Sequence, residues 1–238
     1  MKFLYKTTLV TSALLTCLPA VQAEEPLTTS ANVALTSDYV YRGKTQTDEG
    51  IAIQGGFDIF HESGIYVGTW ASNVNFLEDS SIAPEDRANM EVDVYVGLSG
   101  VLTEELSYDV KIGQYMYPGA SSDLEYDLTE FNLTLTYAMP QGTEIGLVYD
   151  YSPDFGGLDN AHHYLLSMDH PLSNGLGIGG YVAQQNIDEG DDYFYYGMSV
   201  SFPIANLDAS LAYSNTDLDN AGDFGADDRV FFTLSKSF

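Results

Sequence analysis

Four histidines, one nearby serine–aspartate pair and a strongly acidic background set the chemistry open to this sequence. The histidines are His61, His162, His163 and His170. If their segments are neighbouring strands, His162 or His163 could approach Ser152 and Asp150, the raw material of a hydrolase. A nucleophile needs a base within hydrogen-bond reach and a third group to orient that base, and nothing in the spacing marks this trio. No Gly-x-Ser-x-Gly, His-Glu-x-x-His or phosphate-loop pattern occurs. Asp217, Asp219 and Gly222, followed by Asp228, partly imitate a calcium loop. Ala221 falls at a ligand position, however, and Asp replaces the closing Glu. The expectation is therefore no enzyme, no metal site and no cofactor.

Charge is the more informative signal. The chain has 35 Asp and Glu against 8 Lys and Arg, a formal net charge of −27 over 238 residues. Phosphate backbones would repel it, so no nucleic-acid partner is expected. Disorder is disfavoured by an aromatic content of 13%, with 18 tyrosines. Divalent cations, a basic partner or a cationic solute are the natural counter-charges.

The elements that must carry these residues are strands. Met90, Val92, Val94, Val96 and Leu98 alternate with Glu91, Asp93, Tyr95, Gly97 and Ser99, and the same period of two recurs almost to Phe238. Strands are expected near Val33–Arg42, Ile51–Phe60, Ile65–Phe76, Met90–Ser99, Leu106–Gly113, Phe131–Ala138, Ile145–Tyr151, His162–His170, Leu176–Val182, Tyr193–Phe202, Leu207–Tyr213 and Val230–Phe238. In Ile65–Phe76 either Ile65 and Val67 or Tyr66 and Trp70 could face out. A soluble sandwich would also alternate. Connection lengths separate the two, because tight links such as His61–Gly64 and Pro203–Asn206 alternate with long ones such as Gly43–Gly50 and Asn215–Asp227. Short turns at one end, long loops at the other and an even strand number mark an outer-membrane barrel. Closure also leaves no backbone group unpaired in lipid. The fold class expected is all-β, a transmembrane antiparallel up-and-down β-barrel of about twelve strands, with both termini periplasmic.

The chain ends fit this. Lys2 and Lys6, an apolar stretch from Leu9 to Leu18 and the Val21-Gln22-Ala23 tripeptide read as a signal peptide over 1–23, leaving a barrel over 24–238. Cys17, the single cysteine, leaves with that leader. Phe238 closes an alternating last strand and reads as the signal taken by the barrel assembly machinery. Tyr39, Tyr41, Tyr149 and Tyr151 share the outward parity and would form an aromatic girdle.

The opposite parity places Asp38, Asp58, Glu91, Asp93, Asp109, Glu130, Glu144, Asp150, Asp169 and Asp208 inside, against the bases Arg42, Lys111 and Arg229. Carboxylates on a wet lumen tune which ions pass. Asp38 and Arg42, four apart on one expected strand face, suggest an ion pair that is either functional or merely fixes register. Inward tyrosines stand two residues from inward glycines in Tyr95/Gly97, Gly113/Tyr115, Gly179/Tyr181 and Tyr195/Gly197. Packing of the ring over the bare glycine backbone is the favoured reading, with a sugar- or cation-binding aromatic slide as the sharper one.

One stretch resembles a family. The run from Leu35 to Gly50 (LTSDYVYRGKTQTDEG) is followed by Gln54 to Asp58 (QGGFD), His61 to Gly64 (HESG), Trp70 to Phe76 (WASNVNF) and Glu91 to Gly97 (EVDVYVG). This order resembles the TorF family of porin-like proteins. The resemblance implies an outer-membrane pore, and the family's name points toward trimethylamine N-oxide. It assigns no site residues.

The function expected is an outer-membrane porin of a Gram-negative cell, passing small hydrophilic, cationic or zwitterionic solutes. Its partners would be outer-membrane lipid, lipopolysaccharide and the assembly machinery, with oligomerisation left open. The competing readings are a non-conducting structural or adhesive barrel and a barrel lipid hydrolase.

Overall fold

A computed structural model of the chain describes residues 26–76, 82–173, 175–219 and 221–238. Alternation has its expected consequence. Each barrel strand presents one face of apolar side chains outward and one of polar and aromatic side chains inward. In chain order the strands are β1 (Leu27–Thr36), β2 (Val40–Tyr41), β3 (Lys44–Thr45), β4 (Ala52–His61), β5 (Ile65–Asn73), β6 (Met90–Val101), β7 (Leu106–Met116), β8 (Leu128–Ala138), β9 (Glu144–Ser152), β10 (Ala161–Pro171), β11 (Gly177–Ile187), β12 (Tyr193–Ile204), β13 (Leu207–Thr216) and β14 (Arg229–Ser237). Twelve of them close an antiparallel barrel, in which β1 pairs with β14 on one side and β4 on the other. The remaining two, β2 and β3, form a separate hairpin. Among the described residues, helical structure is confined to short 3-10 turns at Pro84–Asp86, Ser122–Leu124 and Ala221–Phe224.

The expected asymmetry of the connections is present. Residues 62–64, 102–105, 139–143, 172–173 with 175–176, and 205–206 lie between strands at the end that also holds the start of β1 and the end of β14. The opposite end carries 37–51, 74–76 and 82–89, 117–127, 153–160, 188–192, and 217–219 and 221–228. Gly64 shows why one tight turn needs glycine: its φ is +90°, and a Cβ there would collide with the carbonyl of Ser99.

Facing is read from exposure. On β6, Val94 and Val96 are 46% and 44% exposed, whereas Glu91 and Asp93 are 2% exposed. The ambiguous β5 resolves the same way: Ile65 and Val67 face out, while Tyr66 and Trp70 are buried. Tyr149 and Tyr151 lie on the outer surface with His162 and Tyr164, as a girdle would require. Phe238 exposes its ring, while its backbone exchanges hydrogen bonds with Ala31 and extends the β1–β14 seam.

Two expectations need correction. The first strand does not run over Val33–Arg42. It ends at Thr36, opposite Ala52, the first residue of β4, and the chain then turns into the barrel. There Val40 pairs with Thr45 and Tyr41 with Lys44 around Arg42-Gly43. Both turn residues have positive φ, +48° and +82°, the geometry of a tight two-residue hairpin. Tyr39 and Tyr41 are therefore not girdle residues; Tyr39 is buried inside, edge-on to Trp70. The second correction concerns the tyrosines over glycines. Gly113 does have the Tyr115 ring two residues along as its nearest neighbour, at 3.5 Å from where a Cβ would sit, but elsewhere the ring covers the glycine directly opposite on the adjacent strand. On the inner wall Tyr66 stands over Gly97, Tyr95 over Gly68 and Tyr181 over Gly197, each where a glycine Cβ would sit.

Candidate functional site

The site is the barrel interior, narrowed by the inturned hairpin β2–β3. Hydrogen bonds from several strands hold the hairpin. Arg42 reaches across to Glu130 on β8 at 2.5 Å and to Asp150 on β9 at 3.0 Å. Tyr193 on β12 donates its hydroxyl to the Arg42 carbonyl at 3.0 Å. Asp38 accepts from Arg229 on β14 at 2.9 Å, and from the hydroxyls of Thr45 and Thr47. Asp38 and Arg42 thus do not pair with each other. The expected pair assumed one continuous strand, and the inward turn sends each side chain to a different wall.

Burial works against the Arg42 charge, but Glu130, with Tyr41 and Asp150, outweighs it and raises the guanidinium's pKa above its ordinary value. Lys44 on the same hairpin lies over the Tyr193 ring at 4.8 Å, and its pKa is lowered by burial, with Asp191 opposing.

The walls supply the remaining charges. Asp58 accepts from the Tyr95 hydroxyl at 2.6 Å, and Asp109 from the Tyr66 hydroxyl at 2.8 Å. Lys111 lies over the Tyr95 ring, 5.6 Å from its centroid. Glu91 accepts one long bond, 3.4 Å, from the Tyr39 hydroxyl. Glu91 Oε2, Asp93 Oδ1 and Asp169 Oδ2 are buried without a hydrogen-bond partner, as are both polar atoms of the Gln185 side chain. Glu144 is half-buried and directly opposite Asp169, a like-charge pair across the β9–β10 ladder. Asp208 keeps the inward parity but is exposed near the tight-turn end.

Neither His162 nor His163 hydrogen-bonds Ser152. The Ser152 hydroxyl lies 2.8 Å from the carbonyls of both Thr129 and Asp154, and its single proton is donated to that backbone pair. His163 instead bridges Asp150 at 2.6 Å and the Tyr195 hydroxyl at 2.7 Å, bracing the carboxylate that holds Arg42. Asn132 adds another bond to Asp150. His162 points outward to Tyr149. His61 bonds Ser63 and His170 bonds Thr143, both at the tight-turn end. Asp217 caps the start of β12 by accepting from the Phe194 amide at 2.7 Å. Among the described residues no group of three or more His, Cys, Asp or Glu could hold a metal ion. Sequence reasoning missed the bracing roles of His163, Tyr193 and Tyr195. The β10 parity that sets His163 beside inward Ser167 and Asp169 was the available signal.

Solved porins have this architecture. The KdgM porin superposes with a TM-score of 0.58 at 7% identity, covering 88% of this chain and 98% of that one. The NanC porin gives 0.54 at 8% identity, with coverage of 87% and 98%. An outer membrane channel from Pseudomonas putida F1 gives 0.53 at 11% identity, with coverage of 91% and 98%. At such identities the likeness shows the fold. No curated protein sequence matches the chain. The family described as "Bacterial protein of unknown function (Gcw_chp)" matches residues 20–238, and the chain belongs to that family.

Proposed function

We propose that this protein is an outer-membrane channel for passive diffusion of small hydrophilic solutes, preferring cations and zwitterions over anions. The observation that carries the reading is the character of the two barrel faces. Outside is an apolar belt for lipid; inside, polar atoms of Glu91, Asp93, Asp169 and Gln185 lack protein partners. The acids Asp58, Glu91, Asp93, Asp109, Glu130, Asp150 and Asp169 outnumber the inward bases, so the lumen would attract cations. Asp38, Arg42, Arg229 and Lys111 would shape the field at the constriction.

One of the similar structures is a KdgM porin in complex with disordered oligogalacturonate. A polymer of carboxylates is the wrong charge for this interior, so that cargo does not transfer. The TorF resemblance would make trimethylamine N-oxide one zwitterion to try. The reading includes export through a cleaved leader over 1–23, both termini at the periplasmic face and Phe238 as the assembly signal. It also includes acidic outer loops meeting lipopolysaccharide through divalent cations.

The second reading, a barrel that conducts nothing, is favoured by the hairpin's docking inside the long-loop end of the barrel, where it bonds β8, β9 and β12. Planar-bilayer recording on refolded protein separates the two. Discrete steps of current support the channel; none at any voltage, with the heat-shifted gel mobility of a folded barrel, contradicts it.

A further inference from the structure

The channel reading explains an acidic lumen but not why two particular carboxylates sit among aromatic rings. Glu91 and Asp93 lie two apart on the inner face of β6, each 2% exposed. Glu91 Oε2 and Asp93 Oδ1 have no hydrogen-bond partner. Arg42 is committed to Glu130 and Asp150 and Arg229 to Asp38, which leaves Lys111, over the neighbouring Tyr95 ring, as the one inward base on the Asp93 side and none bonded to either carboxylate among the described residues. Two buried carboxylates with unmet oxygens call for a counter-charge.

What surrounds them narrows its chemistry. Asp93 stands directly opposite Trp70 on β5 and Tyr115 on β7, so aromatic side chains flank it in one layer of the wall. Tyr39 descends from the segment leading into the hairpin, meets the Trp70 ring at 5.5 Å and touches Glu91 with its hydroxyl. Tyr117 packs against the same cluster. A hard metal ion wants six or more oxygen ligands, and this place has carboxylates, a phenol and ring faces instead. Aromatic faces with a nearby anion favour a weakly hydrated, singly charged cation.

We infer that Glu91 and Asp93, walled by Tyr39, Trp70 and Tyr115, form a binding site for a small organic ammonium cation. This deepens the channel reading and rests on it for the route by which the solute arrives. The segment entering the hairpin, by carrying Tyr39, makes the third of these walls, so docking of the hairpin and occupancy of the site favour each other.

Trp70 is the sole tryptophan of the chain, so its emission reports on this site alone. Refolded full-length protein in detergent is titrated with tetramethylammonium chloride at constant ionic strength, with sodium, potassium and magnesium as comparison cations. A saturable change in Trp70 emission with tetramethylammonium only is expected. The double variant Glu91→Gln/Asp93→Asn should bind about tenfold or more weakly, and Tyr39→Leu, which keeps both acids, should also weaken binding. Heat-shifted gel mobility confirms that each variant is folded. An equal response to sodium, a saturable response to magnesium alone, or no response in the wild type would overturn the site. Tetramethylammonium binding by a barrel that passes no current would overturn the channel reading and leave the site standing.

Discussion

Arg42→Ala is the perturbation that asks most of the structure. The guanidinium is buried between Glu130 at 2.5 Å and Asp150 at 3.0 Å, and it tethers the hairpin to the far wall. Removing one partner of a buried ion pair costs about 3–5 kcal/mol, chiefly because the remaining charge is left uncompensated. Here two carboxylates are left, although lumen water would screen part of the loss. The hairpin retains Asp38–Arg229 and the Tyr39–Trp70 contact, so a loss of about 3 kcal/mol falls on its docking and not on the barrel. That shifts the ratio of docked to undocked hairpin by about a hundredfold. Single-channel recording should show larger steps, more flicker and stronger cation preference, since a positive charge has left an acidic constriction. The triple variant Arg42→Gln/Glu130→Gln/Asp150→Asn removes all three charges and should quieten the flicker. Wild-type conductance and noise in Arg42→Ala would refute the view that this hairpin narrows the pore.

Three further outcomes follow from other parts of the barrel. Gly97→Ala drives a Cβ into the Tyr66 ring and should destabilise by about 1–3 kcal/mol in urea unfolding, whereas Gly113→Ala, whose nearest neighbour would lie at 3.5 Å, should cost clearly less. Deleting Phe238 removes two backbone hydrogen bonds to Ala31 at the seam and should slow refolding into lipid vesicles, followed by gel mobility; an unchanged rate would count against its role in closure. Glu91→Gln/Asp93→Asn should shift the reversal potential in a salt gradient toward zero, because two acidic groups of the inner wall are lost.

Much of the barrel was legible because a two-residue period is a direct record of facing. Closure into twelve strands, the alternation of tight and long connections, and the inward facing of Glu91, Asp93, Asp150 and Asp169 all follow from it. The hairpin was not legible for the same reason. Tyr39 and Tyr41 continue the alternation of β1, and period alone cannot say when a strand has run out of partners. Only the register, with Thr36 against Ala52, ends β1, and register depends on β4 and β14. Arg42-Gly43 held a weak hint, since a non-glycine residue at positive φ is uncommon and nothing local announces it. Cross-strand contacts such as Tyr66 over Gly97, and the bracing of Asp150 by His163, likewise need the pairing before the partners can be named.

The central claim, an acidic channel that prefers cations, is tested most directly by the sign of the reversal potential. The wild-type protein, reconstituted in a planar bilayer, is bathed in concentrated potassium chloride on one side and dilute on the other. The account requires a potential on the cation-selective side of zero that shrinks as total salt rises, since screening over about 8 Å at physiological ionic strength weakens the lumen charges. A reversal potential of anion-selective sign would contradict it.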